Sequence, residues 1–379
     1  MPTWNSKTLV NNMQQIARVI LLIVIAFGWG VGGYVAAQES LPSENSDSPT
    51  SIEQLPQRER PTWRFETAND LFFDEDNQFT NGFTFQKHST VSSDLNDLQG
   101  VRAFGKRIAR RLLPQDDDLF YRKALTIGQN MATPEDLEDP DIILNDTPYL
   151  GYLAVESSWI AYNDERFTGF GITAGIVGKY SGAEQVQKAV HALIDATEPK
   201  GWDHQLDTEP GLNFFYMKKR KLWNNPSFDG AVSFDVAAGN ILTGADASLE
   251  MRFGRKPGGF AYVYDPLGRN MSYDATLPRA DGRTELYGTL TLRAWAWAVF
   301  LGLEGNTLVS GNEWTDNNTI EPEKVIGQAI VGFHYVRPAW GIHATWTFAT
   351  DNVDEDSLSP GVDVANRFGA IIFEWRFGD

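Results

Sequence analysis

The sequence predicts an all-β fold, a transmembrane antiparallel up-and-down β-barrel of about twelve strands with a short helix in an extracellular loop. Three observations point there. Past residue 37 no apolar run is long enough to span a bilayer as a helix. Segments of about ten residues, the length of a tilted membrane strand, instead alternate aromatic or aliphatic residues with polar ones. The final segment ends this way too: Ile371, Phe373, Trp375 and Phe377 share one parity and Ile372, Glu374 and Arg376 the other. A soluble β-sandwich would also alternate, but a barrel with lipid outside and water inside accounts for the aromatic richness and for an export signal.

That signal comes first along the chain. Lys7 and Arg18 precede an apolar run from Val19, and Val35 and Ala37 suit the small-residue positions before a cleavage site, so residues 1–37 read as a signal peptide. An uncleaved anchor is the alternative. Residues 38–61, rich in Ser, Pro, Gln and Glu without apolar period, read as a disordered linker. The barrel domain is then 62–379, with strands expected at 62–70, 79–88, 123–131, 151–162, 167–177, 209–221, 228–239, 245–254, 284–299, 324–336, 340–350 and 366–377.

With both ends of an even-stranded barrel in the periplasm, the connections at 71–78, 132–150, 178–208, 240–244, 300–323 and 351–365 face outward. The inward ones include tight turns at Asn163-Asp164 and Arg337-Pro338 and two long segments, 89–122 and 255–283, that fit the register poorly. The first long segment holds Arg102, Lys106, Arg107, Arg110 and Arg111 around Val101, Phe104, Ile108 and Leu112. This is an amphipathic helix suited to the inner leaflet surface, or an ordinary solvated helix. The third outward connection holds a second helix. Ser181 and Glu184 form a capping-box pattern, and Ala183, Val186, Val190, Leu193 and Ile194 make an apolar stripe up to Thr197-Glu198-Pro199. Glu184, Gln187 and His191 cluster at its flank.

Composition narrows the chemistry. There is no cysteine, so thiolate catalysis and disulfides are excluded, and a net charge of -18 argues against nucleic acid as a partner. His-Glu-x-x-His and GxSxG patterns are absent. Position then supplies the candidates: Asn69 and Asp70 end the first strand, Thr80 opens the second, Gln129 ends the third, and His191 lies in the helix of the third outward connection. All fall at one end of the barrel. Asn69 and Asp70 with Asp74, Glu75 and Asp76 nearby make an oxygen-rich set for a hard cation such as Ca²⁺, which could polarise an ester carbonyl while His191 takes a proton from water. Asn-Asp and Thr-Asn-Gly are also ordinary turn chemistry, and a helical His is often only structural. Parity adds a constraint, because the adjacent Asn69 and Asp70 should point to opposite faces unless the strand twists or bulges at its end. Gln129, Gln187 and Trp202 are the candidates for holding substrate, although Trp202 could instead anchor at the membrane interface. His204 needs no role, and His88, His334 and His343 read as lumen or packing residues.

These residues resemble the outer-membrane lipid A 3′-O-deacylases, the LpxR-like family. The resemblance rests on AND at 68–70, FTNG at 79–82, IGQNMATPED at 127–136, GIVGKYSGAEQVQKAVHALI at 175–194 and PKGWDHQLDTEPGLNFFY at 199–216, and runs from about residue 62 to the C-terminus. It implies a twelve-stranded barrel of the Gram-negative outer membrane, a monomer with its active site facing the cell exterior, that removes the 3′-linked acyloxyacyl chain of lipid A (lipopolysaccharide) with Ca²⁺. By motif, His191 matches the base, Asp70 and Asn69 the metal-binding or orienting groups, and Thr80 a further active-site position. The family's lysine in or near strand 3 is matched at most by Lys123, and Gly178-Lys179 stands where Gly-Pro is usual. A phospholipid-cleaving barrel or a non-enzymatic pore or binding barrel are the alternative readings.

Overall fold

The structure, a computed structural model, describes residues 60–69, 81–98, 103–261, 273–278, 282–300, 320–321, 323–351, 353–360, 362 and 366–376. The expected signal peptide and all but the last two residues of the expected linker lie outside these residues. Twelve antiparallel strands close on themselves: β1 Thr62–Asn69, β2 Asn81–His88, β3 Phe120–Ala132, β4 Leu150–Tyr162, β5 Arg166–Val177, β6 Glu209–Asn225, β7 Phe228–Gly239, β8 Leu242–Arg255, β11 Glu285–Phe300, β12 Val325–Val336, β13 Trp340–Ala349 and β14 Asn366–Arg376. Between β8 and β11 a two-stranded sheet pairs β9 Gly259–Phe260 with β10 Ala275–Thr276. β1 pairs with β2 on one side and β14 on the other, so no edge is left open.

Alternation is inverted relative to a soluble protein. On β14, Ile372, Glu374 and Arg376 are buried in the lumen, and on β2 so are Thr84, Gln86 and His88. The opposite parity leaves Leu125 51%, Ile127 47%, Leu212 61%, Phe234 59% and Phe333 54% exposed on the outer wall. A sandwich would bury these residues, whereas a membrane wall turns them to lipid.

The barrel has two distinct ends. One carries the first residue of β1, the last of β14 and the short connections 163–165, 226–227 and 337–339. The described parts of the two long connections at this end form a helix and a strand pair. Helix α1, Ala103–Leu112, packs on the outside of the wall, where Ala109, Leu113 and Leu95 meet the outward-facing Tyr121, Ala161 and Phe170. The β9–β10 pair turns inward and plugs the lumen: Phe260 and Tyr273 join a core with Tyr162, Phe167 and Phe215, and Asp274 Oδ2 accepts from Arg122 Nη1 at 2.8 Å. Arg122 also donates to Thr62 Oγ1 at 2.9 Å, and Tyr273 Oη donates to Glu156 Oε1 at 2.6 Å. His88 Nε2 accepts from the Asp274 backbone N–H, and His334 and His343 face each other at 3.0 Å between Nδ1 atoms, so all three are packing groups of this end. Burial alone would raise the Asp274 carboxyl, but the guanidinium of Arg122 and then that of Arg64 outweigh it and hold the group below the usual carboxylate range.

Candidate functional site

The opposite end carries the last residue of β1, the first of β2 and the connection from β5 to β6, so Asn69, Gln129 and His191 share one end of the barrel. Pairing sets a row across the outward face of the wall: Asn69 opposes Asn81, Asn81 opposes Met131, and Met131 opposes Gly151. Strands about 4.8 Å apart place the first and last of these roughly 14 Å from each other.

The connection after β5 seats a helix on that row. Gly178, at φ 78°, turns the chain out of β5, and a Cβ there would lie 2.5 Å from the Leu206 carbonyl oxygen, so only glycine fits. After a 3₁₀ turn at Lys179–Ser181, helix α2 runs over Ala183–Ile194. The predicted capping box does not form. Gly182, in the left-handed region, occupies the cap; Ser181 Oγ accepts from Ala183 N at 3.3 Å, and Glu184 pairs with Lys188 at 2.8 Å instead of reaching back. Gly151 lets the helix start touch the wall, since a Cβ there would stand 2.1 Å from Ser181 Oγ and 2.5 Å from Ala183 Cβ.

The buried face of the helix is shifted from the apolar stripe, keeping Ala183, Ile194 and, in part, Val186 against protein. Its buried residues are Ala183, Gln187, His191 and Ile194, while Leu193 is 58% exposed. Gln187 and His191 sit one turn apart on a single line. Val190 is half-buried and Leu193 exposed, while Gln187 and His191 share the buried side with Ala183 and Ile194.

The described members of the predicted polar set have defined places. His191 Nδ1 lies 2.5 Å from the Thr197 carbonyl oxygen. A carbonyl only accepts, so Nδ1 carries the proton, and in the neutral ring Nε2 is the nitrogen with the free lone pair. Gln187 Oε1 accepts from Trp202 Nε1 at 2.7 Å, while the buried Gln187 Nε2 has no hydrogen-bond partner. Trp202 is 1% exposed and packs on Tyr149 with ring centroids 5.0 Å apart, within a cluster that includes Met131, Leu137 and Ala183. It therefore supports α2 from within rather than anchoring at an interface. Gln129 Nε2 donates to the Ser181 carbonyl at 2.7 Å, tying β3 to the turn before α2. Asn69 is half-buried on the outward parity of β1.

Asp70 and Thr80 lie outside the described residues, as do Asp74, Glu75 and Asp76. Among the described residues no group of three or more His, Asp or Glu is placed to hold a metal ion, and Asn69 is the described member of the expected oxygen set. Lys123 lies toward the plugged end, where its backbone carbonyl accepts from Ser89 N at 2.8 Å, six residues along β3 from Gln129, about 20 Å away. His204 is exposed. What the sequence did not reveal is the Thr197 carbonyl, because a backbone acceptor carries no residue signature, and Gly151, whose neighbour in space is thirty residues away in the chain.

Below α2 the loop before β4 is closed by Asp146, whose carboxylate accepts from the backbone N–H groups of Glu135 at 2.9 Å and Thr147 at 2.6 Å. Burial pushes its carboxyl above the usual range despite these bonds.

Comparison with known proteins agrees with this architecture. The family described as Outer membrane protein LpxR matches residues 21–377. No curated protein sequence matches the chain. Among solved structures, LpxR from Salmonella typhimurium superposes with a TM-score of 0.63 at 13% identity, covering 83% of this chain and 100% of that one. The β domain of the Bordetella autotransporter BrkA gives 0.38 at 7% identity, covering 84% and 98%.

Proposed function

The chain belongs to the LpxR family of outer membrane proteins, and from that premise we propose that it is a Ca²⁺-dependent ester hydrolase that removes the 3′-linked acyloxyacyl chain of lipid A. The observation that carries this reading is the buried His191, held by its Nδ1 on the Thr197 carbonyl, on a helix seated at the end of the barrel where Asn69 closes β1. Short turns at the other end support an orientation in which that site faces the cell exterior.

In this mechanism an ester of a lipid in the outer leaflet meets the wall beside α2. His191 Nε2 takes a proton from water as the water oxygen bonds to the ester carbonyl carbon. The same imidazolium then returns the proton to the departing sugar oxygen as the carbon–oxygen ester bond breaks, leaving a free fatty acid and a hydroxyl. Nδ1, held on the Thr197 carbonyl, keeps the ring aimed. Asn69 and Asp70 would hold the Ca²⁺ and Thr80 would orient water or substrate. When bound, the cation would polarise the ester carbonyl and offset the negative charge that develops on its oxygen. Gln129, Gln187 and Trp202 position the helix.

The non-enzymatic pore is disfavoured by the lumen, which the β9–β10 pair and its Arg122–Asp274 ion pair fill at one end. The deciding experiment is mass spectrometry of lipid A from cells with and without the protein, at controlled calcium. Loss of the 3′ acyloxyacyl mass supports the reading; unchanged lipid A overturns it, and released phospholipid acyl chains would assign the substrate to glycerophospholipids instead.

A further inference from the structure

On the outer wall at the plugged end, β6 changes character along its outward-facing residues. Leu212, Phe214 and Tyr216 give way to Lys218 and Arg220, an apolar band passing through a tyrosine into cations, which is the sequence of groups that marks a hydrocarbon boundary. Across the strand pair, Phe234 opposes Lys218 and Val232 opposes Arg220. Helix α1 closes the third side, fixed by Tyr216 Oη donating to the Leu112 carbonyl at 3.4 Å. Between these elements lies a groove of about 620 Å³ whose lining includes Arg111, Lys218, Arg220, Tyr216, Val232 and Phe234.

No carboxylate of the described residues takes up the charges there, and Lys218 Nζ, 5.7 Å from the centroid of the Tyr216 ring, keeps its charge in that contact. The inward neighbours Lys219 and Lys221 pair with Glu250 and Asp229 in the lumen, and Arg166 at the groove edge is held by Asp116 and Asp118. Among the described residues no carboxylate pairs with Arg111, Lys218 or Arg220, although the chain carries a net charge of -18. Three unneutralised cations over an apolar floor at a membrane boundary match one kind of ligand: a phosphate ester carrying acyl chains.

We propose that this groove binds an anionic glycerophospholipid of the inner leaflet, its phosphate among Arg111, Lys218 and Arg220 and its acyl chain along Val232 and Phe234. The site is separate from the one on α2 and rests only on the membrane orientation proposed above.

The test uses the full protein in detergent, titrated with phosphatidylglycerol or phosphatidylcholine and read by native mass spectrometry. Phosphatidylglycerol is expected to bind at about tenfold lower concentration, and the Lys218→Gln/Arg220→Gln variant, checked for heat-modifiable migration, to lose about that factor. A milder Arg111→Gln variant is expected to lose part of it. Equal binding of the two lipids, or an undiminished preference in the double variant, would overturn the proposal. So would full competition by millimolar inorganic phosphate, which would make the groove a free-phosphate site, or a dimer mass lost in the double variant, which would make its occupant a second copy. Orientation is read separately: a Ser227→Cys variant of this cysteine-free chain, in the exposed turn before β7, should react with an impermeant maleimide only in permeabilised cells. Labelling of intact cells would overturn the inner-leaflet assignment. Lipid A left intact with the phosphatidylglycerol preference retained would sink the enzymatic reading and leave the groove standing.

Discussion

Trp202 donates its indole N–H to Gln187, one helical turn before His191, so a single buried hydrogen bond ties the candidate base to the cluster beneath its helix. Trp202→Phe removes the donor and leaves both polar atoms of Gln187 buried without partners, which costs about 1–3 kcal/mol locally. The expected result is faster proteolysis within 178–208 and reduced lipid A deacylation, with the barrel still heat-modifiable. Unchanged proteolysis and activity would show that this bond does not hold the helix.

His191→Gln keeps a polar side chain of similar reach but cannot accept and return a proton. Deacylation is expected to fall by roughly a hundredfold or more, the usual contribution of a general base. Folding, followed by gel migration of unheated samples, should be unaffected.

Gly151→Ala puts a Cβ 2.1 Å from Ser181 Oγ and so pushes the start of α2 off the wall, with an overpacking cost of about 1–3 kcal/mol. Activity should drop, and adding Ser181→Gly should restore part of it by removing the nearest clashing atoms. Absence of rescue would mean that the backbone, not the side chain, sets the contact.

Removal of calcium with a chelator is expected to stop deacylation, and calcium to restore it, while magnesium restores less because a site of flexible oxygen donors favours the larger ion. Activity that survives exhaustive chelation would rule out a metal role for Asn69 and Asp70.

The plug should loosen in acid. Asp274 has a folded pKa held below its unfolded value near 4, so its contribution is complete above that value and is lost as pH falls below it. Protease sensitivity of the segment 256–284 should therefore rise below about pH 4, and Asp274→Asn should show high sensitivity already at neutral pH. A flat profile in the wild-type protein would show that the Arg122–Asp274 pair does not secure the plug.

Much of this architecture is legible in the amino-acid sequence. All twelve strands stand where period-two alternation puts them, Phe228–Gly239 with identical limits and the others shifted by a few residues at their ends, because a one-residue slip in register would turn every lipid-facing side chain into the lumen. His88, His334 and His343 were assignable to packing from their place inside strands. The capping box at Ser181 failed because Gly182 adopts a left-handed conformation that moves the cap by one residue, and local pattern does not report that.

The amino-acid order by itself determined the strand count, the inward and outward parity, and the end of the barrel to which Asn69, Gln129 and His191 belong, since these follow from periodicity and from counting connections. Which face of α2 is buried, which oxygen holds His191, how Trp202 is used, and the folding of the two long connections into an outer helix and an inner plug were decided only by tertiary structure. The reason is that an amphipathic pattern names two faces but not their surroundings: Gln187 and His191 are buried because Trp202 and the Thr197 carbonyl meet them, and such partners are there only once the chain has brought them.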